Sequence, residues 1–290
     1  MHGRHVDEGI GRHAFALDTQ CMRFRRRRPG AAALLLAAAL RFLRDDVEIS
    51  RLDLEALRSR CTVQTITVHD PYQERAMRYV ACPLGEVIRL GFGGEPSALA
   101  GRDVVLRALD GYLKPTNPAR LGEVGGFVAF AEADRPGGGF SPLGRKGVDP
   151  GPFYVVWTGA SQSEAAGYPW PYQLEAIEVT DLAARYPHIV PHDVPRDGPV
   201  WAGFTIFRGQ CIACHSINGE GGKVGPDLNV PMSIVEYRPV EQLKRYIRNP
   251  AAFRYGNMPP QSNLTASDLD ALVAYFEAMK TQKHEPGAAI

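Results

Sequence analysis

The sequence has few cysteines, no long apolar segment and no strong excess of either charge. Only five of its 290 residues are cysteines, and its apolar run at residues 31–40 has ten residues, whereas a membrane-spanning helix needs roughly 20. The formal net charge is +1, but residues 1–44 hold nine arginines and three acidic residues, which leaves a net charge of −5 on the remainder. A mildly acidic body argues against a nucleic-acid-binding protein, because such proteins present clustered basic residues.

Length and composition indicate a globular protein of two domains. The chain is 44% hydrophobic and 22% charged, which is ordinary for a globular protein. At about 100–200 residues per domain, 290 residues suggest two domains. Cys61 and Cys82 lie in the first half of the chain, and Cys211 and Cys214 lie in the second.

The second cysteine pair belongs to the motif Cys211-Ile212-Ala213-Cys214-His215. C-x-x-C followed by histidine is the attachment signature of c-type haem. Each thiol adds to one haem vinyl group, and two intervening residues on a helical turn let both thiols reach the same edge of the macrocycle. The adjacent imidazole can then bind the iron. A zinc half-site and a redox dithiol are the alternatives, although zinc would require a second Cys/His pair downstream and a dithiol needs no adjacent histidine.

The N-terminal segment, residues 1–45, is predicted to be an extension followed by a signal peptide. Met22 precedes a basic stretch at residues 23–28 and the apolar run at 31–40, a typical secretory pattern. Because c-type haem is attached outside the bacterial cytoplasm, the haem motif also predicts a periplasmic protein. The alternative is a basic arm followed by a short surface helix, and we expect membrane association only if the signal segment stays uncleaved.

Residues 46–185 are predicted to form a β-rich α+β domain. β-Branched and apolar runs indicate strands near residues 62–68, 76–81, 103–108, 127–130, 153–157 and 173–179. An Asp-Pro turn at residues 70–71 suggests a hairpin in which Ile66 faces Met77 and Cys61 faces Cys82. We therefore hypothesise a Cys61–Cys82 disulfide in an oxidising compartment. The alternative is two buried free thiols that pack as small apolar groups.

Several segments of this domain resemble the molybdopterin-binding domain of the sulfite-oxidase family. These are VACPLGEVI at residues 80–88, VVLRALDGY at 104–112, PFYVVW at 152–157 and WPYQLEAIEV at 170–179. The family binds molybdenum through a cysteine thiolate in an early segment that this chain lacks. We therefore expect a reduced relative without a molybdenum cofactor. The alternative is a molybdenum site in which this domain oxidises sulfite or a similar substrate.

Residues 186–197 carry proline every four residues and are predicted to be an extended, semi-rigid spacer. Residues 198–282 follow as an all-α domain, and residues 283–290 as a tail. This last domain resembles a class I cytochrome c. The resemblance implies that Gly203 and Phe207, eight and four residues before Cys211, pack against a C-terminal helix that contains Tyr275.

The same resemblance implies the axial ligands of the haem iron. His215 is one ligand, and the carbonyl of Pro226 in the segment Gly225-Pro226-Asp227-Leu228 would accept the Nδ1–H of its imidazole. Met258, in the Asn257-Met258-Pro259-Pro260 segment, would supply the sixth ligand. A haem with both axial positions filled transfers electrons and binds no substrate at iron.

These observations predict a periplasmic c-type cytochrome with one covalently attached haem and no catalytic residues. We expect it to pass single electrons between a periplasmic dehydrogenase and a terminal acceptor, with the N-terminal domain serving to dock a partner. The alternative is a haem-containing molybdenum oxidoreductase of the sulfite-dehydrogenase type.

Overall fold

The computed structural model describes residues 38–144, 147–256 and 258–285. A β-rich domain comes first and a helical domain follows. The predicted signal peptide falls on residues that lie outside the described part of the chain, except for its last few positions. In the described ranges, no helix combines the length and apolar character needed to cross a membrane.

The first domain contains a five-stranded sheet. Its strands are β1 (Ala39–Arg44), β2 (Val47–Asp53), β5 (Asp103–Ala108), β6 (Leu113–Thr116) and β9 (Leu174–Thr180). Their order in the sheet is β2-β1-β9-β5-β6. Strand β1 pairs parallel with β9, and the other neighbours pair antiparallel.

A second, four-stranded sheet contains β3 (Gln64–Asp70), β4 (Arg75–Pro83), β7 (Gly126–Glu132) and β8 (Tyr154–Trp157). These strands are antiparallel and have the order β3-β4-β7-β8. Among the described residues, four short α-helices complete the domain: α1 (Leu54–Arg60), α2 (Leu84–Phe92), α3 (Pro118–Leu121) and α4 (Leu182–Arg185). One apolar core joins residues from both sheets with α1 and α2.

The N-terminal boundary predicted at residue 46 is wrong, because β1 is an inner strand of the five-stranded sheet. Leu40 and Phe42 of this strand are fully buried. Phe42 pairs with Ile177 in the parallel ladder. Residues 39–40 therefore belong to the folded domain, although they continue the apolar run that suggested a signal peptide.

The β3-β4 hairpin has a different register from the one predicted. Ile66 pairs with Tyr79, and Met77 pairs with Val68. The turn is longer than the prediction, which centred it on residues 71–72. The buried Asp70 carboxylate stabilises this longer turn by accepting hydrogen bonds from the backbone N–H groups of both Tyr72 and Gln73.

The hypothesis of a Cys61–Cys82 disulfide is confirmed, although the hairpin register does not produce it. Cys61 is the C-cap residue of α1 and lies before β3 begins. Cys82 is fully buried in β4. A disulfide joins the two sulfurs and thereby fastens α1 to the four-stranded sheet.

In the part of the chain that the structure describes, the second domain is built from four α-helices and a π-helical turn, with one small hairpin. The helices are α5 (Pro199–Ile206), α6 (Ile234–Tyr237), α7 (Val240–Arg248) and α8 (Ala266–Lys280), and the π-helix is Phe207–Cys211. A two-residue hairpin pairs β10 (Ser216–Ile217) with β11 (Glu220–Gly221), so the domain is not strictly all-α. Helix α8 begins at a capping box in which Thr265 and Asp268 satisfy each other's backbone N–H groups.

The segment 186–197 is not the extended spacer that its prolines predict. It contains a 3₁₀ turn at Pro187–Ile189. Ile189 is fully buried in the core of the helical domain, and its carbonyl accepts the Tyr275 hydroxyl at 2.7 Å. The segment therefore packs onto the helical domain, because its apolar side chains are buried in the core of that domain.

The two domains meet along β6 and the turn before it. Val105, Leu113 and Leu182 of the β-rich domain are part of the apolar core of the helical domain. Arg208 pairs with Asp103 across the same boundary. The motif at residues 211–215 lies beside this boundary, because the Leu113 N–H donates to the carbonyl of Ala213 at 2.9 Å.

Candidate haem-binding site

The two cysteines of the motif lie on a single turn at the end of the π-helix. The carbonyl of Cys211 accepts the backbone N–H of Cys214 at 3.1 Å and that of His215 at 2.9 Å. Both thiols are free and half-buried. The two free thiols therefore lie on one tight turn, as two additions to one haem edge require.

Electrostatics and surroundings disfavour the alternative uses of this cysteine pair. Burial raises the pKa of Cys211 to about 12 and that of Cys214 to about 11. A redox dithiol needs a thiolate and therefore a lowered pKa. A zinc site needs about four ligands, and the described residues contain no cluster of three or more His, Cys, Asp or Glu side chains that could hold a metal ion.

His215 is oriented as an axial ligand must be. Its Nδ1 lies 2.8 Å from the carbonyl oxygen of Pro226, which accepts the N–H and leaves Nε2 unprotonated and available to iron. Burial is the main cause of a lowered pKa for this imidazole, and the neutral form is therefore favoured. The hydrogen bond implied by the resemblance is thus present.

Gly225 supports the same ring and was missed as a site residue in the sequence. A Cβ atom at this position would lie 2.5 Å from Cε1 and 2.7 Å from Nδ1 of His215. Any side chain would therefore push the imidazole aside. The sequence signal was available, since Gly225 directly precedes the proline that orients the ring.

Gly203, Phe207 and Tyr275 meet where α5 crosses α8. A Cβ on Gly203 would lie 2.0 Å from the carbonyl oxygen of Ala271, so only glycine allows this close approach of the two helices. The rings of Phe207 and Tyr275 are fully buried with centroids 5.4 Å apart. This crossing fixes the direction in which the π-helix leads into the cysteine turn.

Met258 lies in the loop before α8 and packs, half-buried, against the same apolar core as Cys211. The other two methionines of this domain are placed differently. Met232 is 53% exposed, and Met279 is 1% exposed within the core face of α8. Asn257, the neighbour of Met258, lies outside the described residues.

A buried amide pair, Asn218 and Asn229, also supports the site and carries no sequence signal. The Asn229 side-chain amide donates to the Asn218 side-chain oxygen and to the carbonyl of Met279, both at 2.8 Å. Asn218 donates in turn to the carbonyls of His188 and Gln282. These bonds fasten the loop after the haem motif to α8 and to the segment before α5.

Together, these residues fit a covalently bound haem. Two free thiols share one turn, an imidazole presents Nε2, and a thioether borders the same core. Residues 200–280 match the family model of cytochrome c. The C-terminal domain is a class I cytochrome c domain. This cytochrome c domain covers the haem motif, Pro226 and Met258.

A curated relative carries a similar segment. Over 89 residues the chain is 31% identical to cytochrome c oxidase subunit 2 of Alkalihalophilus pseudofirmus, a segment that covers 28% of this chain and 26% of that protein. The matching part therefore spans about a quarter of the relative's length. The family match covers the cytochrome c domain, and the resemblance of the β-rich domain to sulfite oxidases stays a hypothesis.

Proposed function

We propose that this protein is a periplasmic monohaem c-type cytochrome that carries single electrons between a periplasmic dehydrogenase and a downstream acceptor. Thioether bonds to Cys211 and Cys214 would hold the haem, and His215 and Met258 would be its axial ligands. When bound, the haem supplies a one-electron couple. The observation that carries the proposal is the His215–Pro226 hydrogen bond beside two free cysteines on one turn.

The residues of this chain have three tasks in such a carrier. The Pro226 carbonyl holds the His215 proton on Nδ1 and thereby leaves Nε2 free to bind the iron of a haem. Met258 would supply the second protein ligand to the iron, so no substrate could bind at the metal. The aromatic rings around Phe207 are buried and would keep water from a haem packed against them.

The disulfide favours a carrier over a molybdenum enzyme. The sulfite-oxidase family binds molybdenum through a free cysteine thiolate, and both cysteines in the described part of the β-rich domain are joined to each other. The β-rich domain is proposed to dock a partner, since it already packs against the haem-attachment turn. Both the disulfide and covalent haem attachment fit the oxidising periplasm.

Elemental analysis of the purified full-length protein tests the proposal directly. We expect about one iron per chain, no molybdenum, and haem that stays on the polypeptide after acid–acetone extraction. Stoichiometric molybdenum would favour the sulfite-dehydrogenase alternative. Cell fractionation checks the location, and recovery of the haem-loaded protein from the cytoplasm would contradict a periplasmic carrier.

A further inference from the structure

The haem-attachment turn is covered by a specific segment of the β-rich domain. The Leu113 N–H donates to the carbonyl of Ala213, the residue between the two cysteines, at 2.9 Å. The Gly111 carbonyl accepts the backbone N–H of Lys223 at 2.9 Å. Two backbone hydrogen bonds therefore hold β6 and its preceding turn against the segment that carries the haem.

This arrangement places the ammonium group of Lys114 beside the cysteines. Its Nζ donates to the carbonyl of Gly209 at 2.9 Å, and Gly209 lies two residues before Cys211 in the π-helix. Lys114 directly follows Leu113, whose N–H donates to the Ala213 carbonyl between the two cysteines. The Lys114 side chain is partly buried, and this burial lowers its pKa.

We propose that Lys114, supplied by the β-rich domain, is a positioning residue that raises the reduction potential of the haem by holding a positive charge beside the Cys211–Cys214 turn. The inference rests on the proposed function and deepens it. Oxidised haem iron carries one more positive charge than reduced iron. A fixed cation close by therefore disfavours the oxidised form and raises the potential, and the effect is large only where solvent is excluded.

The test compares midpoint potentials of the haem-loaded, full-length protein by spectroelectrochemical titration. Lys114→Met removes the charge but keeps much of the side-chain volume. At a fixed applied potential we expect the ratio of reduced to oxidised haem to fall on the order of tenfold, which corresponds to a shift of about −59 mV for a one-electron couple. Lys114→Arg keeps the charge and should stay near the wild-type potential.

Lys223→Met is the matched control. Lys223 also lies at the domain boundary, but its side chain is exposed, and solvent and salt screen an exposed charge. We expect its removal to leave the potential unchanged. Equal shifts in Lys114→Met and Lys223→Met would overturn the proposal, because the effect would then follow net charge alone. An unchanged potential in a folded, haem-loaded Lys114→Met protein would overturn it as well.

A second variant decides the matter if Lys114→Met does not fold. Lys114→Gln removes the charge but keeps a donor for the Gly209 carbonyl, and it should lower the potential as Lys114→Met does. An unchanged or raised potential in that variant would contradict an electrostatic role for Lys114. Failure of the proposed function is distinguishable, since the wild-type protein would then lack a covalent haem with a reversible one-electron couple.

Discussion

At the residue scale, the site depends on positions where no side chain fits. Gly203 lets α5 approach α8, and Gly225 leaves room for the His215 ring. Both would collide with rigid partners, a backbone carbonyl in one case and an imidazole held by Pro226 in the other. Their importance therefore comes from contact distance and not from the conformational freedom of glycine.

Gly203→Ala should destabilise the protein by about 1–3 kcal/mol, because overpacking of a close helix crossing forces the helices apart. Urea unfolding of the haem-loaded protein measures the change. Gly209→Ala is the matched control, since a Cβ at that position meets nothing within 4 Å. It should change the free energy of unfolding by less than ~0.5 kcal/mol. Equal losses of unfolding free energy in both variants would contradict the requirement for glycine where α5 crosses α8.

Met258→Ala should abolish the far-red charge-transfer band between thioether and oxidised iron that the family resemblance implies for a His/Met haem. Absorption spectroscopy of the oxidised protein measures the band. Met232→Ala serves as the control, because Met232 is a largely exposed methionine of the same domain, and we expect it to retain the band. A band that survives in Met258→Ala would show that another residue is the sixth ligand.

At the scale of elements, the disulfide holds a short helix against a sheet. The two cysteines are 21 residues apart in sequence, and Cys61 lies at the end of α1. Helix α1 has only seven residues and buries Leu57 as its core contact. A helix of that length has little stability alone, so the covalent bond and Leu57 together keep it in place.

Replacing both Cys61 and Cys82 with alanine should lower the free energy of unfolding of the β-rich domain by about 2–4 kcal/mol, chiefly by releasing a constraint on the unfolded chain. Fluorescence of Trp157 and Trp170, both buried in this domain, follows the unfolding. Wild-type protein in reducing agent should match the double variant, and the variant should not respond to reductant. Unfolding curves that coincide for oxidised wild type and variant would contradict the expectation.

At the scale of the whole molecule, the domains are joined by contacts that converge on the haem motif. Leu113 is almost fully buried in the core of the cytochrome c domain although it belongs to β6. The segment 186–197 adds Ile189 to that core. Unfolding of one domain would therefore expose apolar surface of the other, and we expect the two to unfold together.

Leu113→Ala should uncouple the unfolding of the two domains and lower the free energy of unfolding by about 2–4 kcal/mol. In the wild type, tryptophan fluorescence of the β-rich domain and haem absorbance should change at the same temperature, as in a single cooperative transition. In the variant the two transitions should separate. Leu121→Ala, in the separate core of the β-rich domain, is a control of equal size that should leave the transitions coincident. Coincident transitions in Leu113→Ala would contradict coupling through this contact.

Prediction from sequence succeeded where interacting groups are close along the chain. The strands at 103–108 and 154–157 follow runs of β-branched and aromatic residues, and the structure contains both. The sequence did not predict β1, β2 or β6. Strand β1 continues an apolar run that resembles a signal peptide, and Lys114 and Pro115 obscure the strand pattern of β6.

The sequence alone identified the cytochrome c domain and predicted its haem-binding residues. Cys211, Cys214 and His215 share one turn, and Pro226 follows within a short loop, so local geometry brings them together. Only the tertiary structure decided what faces that turn. Pairing of β1 with β9 and docking of β6 on the Ala213 carbonyl join distant parts of the chain. A local sequence pattern does not show which distant segment will pack against it. The position of Lys114 beside the cysteine turn is therefore defined only when both domains are folded.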